Sequence, residues 1–426
     1  MAVWWVVGHD RGKGYSHDYM MSHPVPDARR ERWLLLTLAG VQFTHILDFM
    51  IMMPLGPQLT RIFGIDNAAF GLLVSAYTLS AGVSGLAASL YVDRFDRRRL
   101  LLVLYALFAL ATLACALAPG YQSLLLARVA AGLFGGVLST LSQTIVADVV
   151  PFERRGAAMG IVMSSFSLAT VAGVPLGLWL ANALGWHAPF WSLALVCALL
   201  WVLAWRTLPA LGQHLQGQSD KPMWHNLWSV LREPAHWRAF GLSALMMFAG
   251  FTVIPYITLY NTQNVGLTEA QIPWIYLCGG AATLVSARWV GRLSDRVGKQ
   301  RMFFHVALWV SLPLMATTLL PRVPLWGVLL VSTSFFLLMN ARMIPGMALI
   351  SAAVRPDKRG TFMAVNGAVQ SASMGAAAFV GGLIIGRDMA GQLTHYWVAG
   401  LVGVGASLAA AALSRTLVLH GGGTQK

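Results

Sequence analysis

The chain alternates between long apolar runs and short polar cassettes. Leu100 to Ala118, LLLVLYALFALATLACALA, carries no charge across nineteen residues. About twenty apolar residues in a helix cross the hydrocarbon layer of a bilayer. Strands of a membrane barrel would alternate apolar and polar with period two, and these runs do not, so each is predicted to be a helix. Twelve such runs are predicted, at 33–55, 68–92, 100–118, 122–146, 156–183, 189–206, 237–259, 270–290, 302–320, 325–350, 361–385 and 395–416. The expected fold is all-α and integral to the membrane.

The cassettes repeat. Ser89–Arg99 (SLYVDRFDRRR) answers Gly291–Arg301 (GRLSDRVGKQR), with Asp93 and Asp295 202 positions apart. ERRGAAM, 153–159, answers DKRGTFM, 357–363, with Arg155 and Arg359 204 apart, and Pro54 answers Pro255 at 201. Three anchors at nearly one offset, 201–204 positions, imply two pseudo-symmetric six-helix bundles, residues 33–206 and 237–417, preceded by an N-terminal tail over 1–32 and followed by a tail over 418–426. Repeats of this kind are common in secondary transporters, with the binding site between the halves near mid-membrane. The segment 207–236 is expected to be a linker. Within it Trp224, Leu227, Trp228 and Leu231 share a helical face, the pattern of an amphipathic helix along the inner surface.

Composition strengthens this reading. Of 426 residues 57% are hydrophobic and 11% charged, against about 25% charged in soluble domains. The net charge is +14, but its distribution excludes a nucleic-acid surface. With a cytoplasmic N-terminus, only Arg61, Arg322 and Arg387 fall on outer loops. Arg128 and Arg342 lie inside spans, and the other 25 of 30 Lys and Arg face inward. This positive-inside bias predicts a multi-pass inner (cell) membrane protein with both termini cytoplasmic. Cys115, Cys197 and Cys278 all sit in spans, so no disulfide framework is expected. The opening MAVWWVVGHD has too short an apolar core for a signal peptide, and Met20 or Met21 is an alternative start. No Walker loop and no zinc-type His-Glu-x-x-His occurs. No catalytic residue, metal or cofactor is therefore expected, and the chain does not read as an enzyme.

Ionisable residues inside spans cost about 2.5–3.5 kcal/mol on insertion scales and mark functional sites. Here they are Asp48, Arg128 and Arg342. At about 1.5 Å per residue all three are expected near mid-membrane, lining one central cavity. At the repeat offset they face Ala249, Ser332 and Leu138, so the anchors are duplicated while the charges are not. Asp48 is expected to carry a proton, tuned by Arg128. His45, three positions earlier on the same helix face, either passes that proton or is a packed polar residue. Asn340, Arg342 and Pro345 form a second cluster, where the proline is expected to loosen the helix. Arg342 would bind an anionic group or balance Asp48. Gln42, Gln143, Tyr256, Trp274, Asn366 and Gln370 are expected to supply lining. The pairs Gly132/Gly136 and Gly173/Gly177, the latter spanning Pro175, are spaced for close helix packing.

These residues resemble the major facilitator superfamily, and within it the twelve-helix drug and sugar proton antiporters. Gly291, Leu293, Asp295, Arg296, Gly298, Lys299 and Arg301 match the family's loop signature. The first copy keeps Asp93, Arg94, Arg97 and Arg98 but has Ser89 and Asp96 in place of two glycines. The loops read either as topology anchors or as a latch that opens when the halves rock. Arg128-x-x-x-Gly132-x-x-Gly135 is similar to the family's proton-coupling motif, and Gly173-Val-Pro175-Leu-Gly177 to its antiporter motif. The resemblance implies proton-coupled efflux of a small drug-like or sugar-like molecule by alternating access, with uptake symport or a non-transporting receptor as alternatives. Its partners would be that solute, protons and membrane lipid, and a monomer is expected.

Overall fold

The computed structural model describes residues 28–151, 154–209, 211, 223–355 and 358–417. The N-terminal bundle comprises α1 (Ala28–Ile51), α2 (Gly56–Phe63), α3 (Asn67–Tyr91), α4 (Arg97–Ala116), α5 (Tyr121–Val149), α6 (Arg155–Leu168), α7 (Val174–Leu184) and α8 (Ala188–Thr207). After α9 (Met223–Leu231), the C-terminal bundle comprises α10 (Pro234–Phe251), α11 (Ile257–Tyr260), α12 (Ile272–Val297), α13 (Lys299–Trp309), α14 (Ser311–Thr318), α15 (Leu325–Ala352), α16 (Arg359–Ile384) and α17 (Tyr396–Ser414). A two-residue hairpin, β1 (Gly386–Arg387) with β2 (Leu393–Thr394), links α16 to α17. The end where α1 begins and α17 finishes is called terminal below, and the other end distal.

Among the described residues, ten helical stretches are long and apolar enough to cross a membrane. The other two of the twelve predicted passes are α12, which carries Arg288 and a Gly- and Ser-containing sequence, and the α13–α14 pair. Prolines explain most interruptions. A proline has no N–H for the carbonyl four residues back, and its ring crowds that carbonyl. Pro54 lies in the turn between α1 and α2, and Pro255 in the turn between α10 and α11. Pro175 follows a π turn, Ala169–Gly173, that joins α6 to α7. Pro345 behaves differently from the expectation: α15 runs unbroken through it. The repeat is visible in the helix starts, since α6 and α16 begin at the matching Arg155 and Arg359.

The bundles meet along two seams. In one, α3 lies against α16. Asn67 Nδ2 donates to the carbonyls of Ile385 (3.1 Å) and Gly386 (3.3 Å), and Ser75 Oγ to that of Gly375 (2.7 Å). Close approach needs bare backbone here: a side chain at Gly71 would strike the Tyr256 hydroxyl, and one at Gly82 would crowd the Ala368 carbonyl. In the other seam, Gly280 of α12 takes Thr170 and Val171.

The tail expected over 1–32 overlaps α1, which already begins at Ala28. Residues 1–27 and the tail over 418–426 lie outside the described residues, as does most of the linker before α9. That helix docks on the C-terminal bundle: Leu227 and Val230 are buried with Phe240, Phe303 and Phe362, while Trp228 is exposed beneath Arg232. The predicted face therefore divides between protein and surroundings, and the Trp224 side chain lies outside the described residues. Lys358 ties the dock, its Nζ reaching Glu233 Oε2 at 3.1 Å and the Ser229 carbonyl at 3.3 Å.

Two outcomes follow from this packing. A side chain at Gly136 would strike the Ala81 backbone, whereas Gly160 faces open space. Gly136→Leu should lower stability by about 1–3 kcal/mol through overpacking, and Gly160→Leu should shift it within about 0.5 kcal/mol, read by thermal unfolding in detergent. The Lys358 ammonium, with help from His236 and Arg355, holds the Glu233 carboxyl below the usual carboxylate range. A lowered folded-state value stabilises the dock above the ordinary carboxylate range and loses that contribution as pH falls through the lowered value. Protease nicking around α9 should therefore rise on acidification in the parent and be high at every pH in Lys358→Ala.

Candidate functional site

The site is built on α1, α3, α4 and α5. Asp48 and Arg128 are both 0% exposed. Arg128 Nη1 donates to Asp48 Oδ2 at 2.7 Å and to the Asp48 carbonyl at 3.0 Å, so one guanidinium arm binds both side chain and backbone of α1. From α4, Thr112 Oγ1 donates to Asp48 Oδ1 at 3.5 Å. The guanidinium carbon lies 4.5 Å above the Tyr77 ring of α3, a cation–π contact. Buried charges are tolerated when paired and hydrogen-bonded; here Nη1 carries the pairing, while Arg128 Nε and Nη2 are buried with no hydrogen-bond partner among the described residues.

Tyr77 is the residue the sequence did not single out. Its hydroxyl donates to the His45 carbonyl at 3.2 Å and lies 3.4 Å from His45 Nδ1. Tyr77 thus stands between the ion pair and His45, and among the described residues no hydrogen bond joins His45 to Asp48. Sharing a helix face did not bring the two together. The glycines after Arg128 explain why Tyr77 fits. A side chain at Gly132 would strike the Tyr77 carbonyl and the Ser80 hydroxyl, and one at Gly135 the Tyr77 hydroxyl. The spacing Arg128, Gly132, Gly135, Gly136 therefore makes a bed for α3. That signal was present in the sequence, but it named the bed and not its occupant. Gly173 and Gly177 play a similar part toward α1, packing against Leu47 and Ile51 on either side of Asp48.

Arg342 corrects the expectation of a trio. It sits on α15 in the other bundle, 1% exposed, with Nη1 donating to Ser407 Oγ (3.0 Å) and Nη2 to the Met246 carbonyl (2.7 Å) and Met339 Sδ (3.3 Å). All these partners belong to its own bundle. Arg128 is seven residues from the distal start of its helix and Arg342 seventeen. At 1.5 Å per residue the two differ in depth by roughly 15 Å. Asp48 has one arginine, not two. Asn340, two residues before Arg342, is half-buried.

The expected lining divides. Gln42 Nε2 donates to Ser139 Oγ at 3.2 Å, leaving its buried Oε1 without a partner. Asn366 is buried with Oδ1 likewise unpaired, and Gln370 Nε2 donates to Ser243 Oγ at 2.9 Å. Gln143 and Trp274 are exposed. Tyr256 is not lining: it is fully buried in the α3–α16 seam, its hydroxyl 2.5 Å from the Ala378 carbonyl.

The two loop cassettes differ in build. In the second, Gly298 adopts φ +94° between α12 and α13, a conformation that favours glycine. In the first, Asp96 occupies the matching place with φ −57° and caps α4, accepting from Arg99 N at 2.8 Å, while its other oxygen takes Leu211 N. Arg97 pairs with Asp148 and Arg98 bonds the Trp205 carbonyl. Asp96 thus replaces a glycine by changing how the turn is closed. Arg94 is exposed and the Asp93 side chain lies outside the described residues. Asp295, Arg296 and Lys299 are exposed with no ion pair among the described residues, and Gly291 faces open space.

Cross-bundle polar contacts gather distally. Glu269 accepts from Arg61 (3.0 Å) and Gln58 (3.1 Å), and its carbonyl from Asn182 (3.0 Å). Arg387 Nε donates to Asn67 at 3.2 Å. Among the described residues no hydrogen bond joins the bundles in the terminal third. The polar ties between the bundles are therefore distal, while toward the terminal end Leu86 of α3 packs against the C-terminal core that includes Phe362.

The sequence model of the Major Facilitator Superfamily matches residues 38–378 and 239–420. The chain belongs to this superfamily. Among its relatives is the uncharacterized MFS-type transporter YbcL of Bacillus subtilis (strain 168), 25% identical over 379 residues, covering 87% of this chain and 92% of YbcL. The solved D-xylose-proton symporter superposes with a TM-score of 0.75 at 18% identity, over 94% of this chain and all of that one. A bacterial homologue of the human lysosomal transporter Spinster, solved inward-facing and unoccupied, gives 0.71 at 16% identity over 92% and 98%. This major facilitator is a multi-pass membrane transporter, and its fold and family point away from an enzyme. Breaking a buried pair by removing one partner destabilises by about 3–5 kcal/mol. Arg128→Gln should therefore lower thermal stability strongly, and adding Asp48→Asn to it should restore part of the loss, measured by unfolding of the purified protein.

Proposed function

We propose that this transporter exports a small organic molecule, drug-like or sugar-like, in exchange for protons. The observation that carries the reading is the buried Asp48–Arg128 pair, present in one bundle and absent at the matching positions, Ala249 and Ser332, of the other. A duplicated frame needs equivalent packing in both halves. An unduplicated ion pair at depth adds something the frame does not require.

The pair suits proton coupling because its two states differ in charge. With Asp48 ionised, the guanidinium is neutralised and α1 is tied to α5. With Asp48 protonated, the charge-assisted bond weakens and Arg128 is left with an uncompensated charge in apolar surroundings. The two protonation states therefore favour different packings of α1 and α5. Positive-inside charge supports cytoplasmic termini in the inner (cell) membrane. With that orientation the end that carries the polar ties between the bundles faces outward. The Gly173–Gly177 resemblance supports antiport over symport, and the transporter is taken to work as a monomer.

Proteoliposomes test this. An imposed proton gradient should drive solute uphill in the parent. Asp48→Asn should abolish uphill movement while leaving downhill exchange. Solute and protons moving the same way would replace export with symport. No flux of any solute in a broad drug and sugar panel would favour a receptor.

A further inference from the structure

We infer that Tyr77, Phe49 and Phe251 form an aromatic column that carries the protonation state of the Asp48–Arg128 pair across the seam between the bundles. The inference rests on the proton-coupled reading above and adds to it the positioning residues that turn a local charge change into motion.

The column is continuous. Arg128 lies 4.5 Å over the Tyr77 ring. Tyr77 stacks on Phe49 with centroids 5.6 Å apart and planes 25° apart. Phe49 stacks in turn on Phe251 of the opposite bundle at 5.9 Å and 27°. Asp48 and Phe49 are neighbours on α1, so the same helix segment supplies the carboxylate at one end of the chain of contacts and a ring in its middle.

Each link has a physical reason to respond. The pull of a guanidinium on an aromatic face depends on how far a counter-ion neutralises it. Protonation of Asp48 changes that, so the Tyr77 ring is the first uncharged group to register it. The ring has little room elsewhere: its hydroxyl is held by the His45 carbonyl, Gly135 lies directly against its hydroxyl end, and Gly132 lies against the Tyr77 backbone. Closely packed cores switch between discrete arrangements and do not deform continuously, so displacement of Tyr77 passes to Phe49. At the far end, Phe251 is the last residue of α10, immediately before the turn over 252–256. Its neighbour Gly250 packs on Met339, and at the end of the turn Tyr256 is fixed to α16. Phe251 therefore sits at the bend of the opposite bundle, where a small shift alters the angle between α10 and α11.

The column is also unduplicated. At the repeat offsets of 201 and 202, Phe49 faces Gly250 and Tyr77 faces Gly279. It shares this asymmetry with the ion pair and not with the frame. The charged or titratable groups facing Asp48 are Arg128 from α5, Tyr77 from α3, Cys115 from α4, Cys197 from α8 and, beyond Tyr77, His45 of its own helix.

The test reads distal opening directly. Spin labels are placed at Leu184→Cys and Met389→Cys, exposed distal positions on the two bundles, in a Cys278→Ser background, and the distance distribution is recorded from pH 5 to 9. The parent should shift between two distances with pH, and Asp48→Asn should not. Phe49→Leu, Phe251→Leu and Tyr77→Leu, which keep the ion pair and an apolar side chain, should each lose the shift. Phe49→Tyr and Tyr77→Phe, which keep the rings, should retain it. The Phe49→Leu/Phe251→Leu double variant should be no worse than either single one. If Phe49→Leu and Phe251→Leu elute monodisperse and still follow the parent's pH response, the column is overturned while the proton reading stands. A parent with no response, or one matched by Asp48→Asn, overturns the proton reading and the column with it.

Discussion

A carboxylate and a guanidinium removed from water forfeit several kcal/mol each, and only their mutual contact and added hydrogen bonds offset that loss. The Asp48–Arg128 pair imposes this condition on the whole N-terminal bundle. Arg128 reaches both the carboxylate and the backbone of α1, Thr112 approaches from α4, and Tyr77 covers the guanidinium from α3. Four helices must hold their spacing for the pair to survive. The glycines Gly132, Gly135 and Gly136 on one side and Gly173 and Gly177 on the other let them approach closely enough. Small residues at these interfaces serve a charge as well as helix packing in general.

The fold was legible because its signals are long and repeated. A run such as Leu100–Ala118 has one reading in a bilayer, and the anchors at 201–204 positions divide the chain without any structure. The breaks at Pro54, Pro175 and Pro255 were not legible in the same way, since the apolar runs 33–55, 156–183 and 237–259 continue through them. Pro345 did not break α15, which packs against α10, α12 and α13 of its own bundle; neighbouring helices can hold a helix whose own hydrogen bond is missing. The site was legible only as far as charge in an apolar run reveals it. Asp48 and Arg128 were read as a pair and are one. Arg342 was expected to bind an anionic group or to balance Asp48 across the bundle boundary; its hydrogen bonds stay in its own bundle, at a depth roughly 15 Å from Arg128, so balancing Asp48 falls away. Tyr77 was missed because a tyrosine in a membrane helix carries no penalty large enough to stand out. His45 was joined to Asp48 by helix periodicity, but periodicity gives a face and not a rotamer.

The two halves are alike in path and different in how their polar loops close. Gly298 turns the chain through a positive φ with no side chain to tie down, and the charges around it stand free among the described residues. Asp96 does the same topological work by capping α4 and holding Leu211, with Arg97 and Arg98 bound to Asp148 and Trp205. The first loop is tied into its own bundle through several partners, while the second is tied through Gln300, whose Nε2 donates to the Ser414 carbonyl at 2.7 Å. If the bundles rock as rigid bodies, the tied loop travels with the N-terminal bundle as part of it, and the second loop is the one left able to change partners. The departure from the glycine pattern at Asp96 is then less a loss than a division of labour: one half stiffened around its ion pair, the other left with the pliable turn. Each bundle nonetheless holds a buried charge that its helices cannot abandon: the Asp48–Arg128 pair joins α1 to α5, and Arg342 joins α15 to α10 and α17, so the difference between the halves lies in the carboxylate, which only the first can protonate.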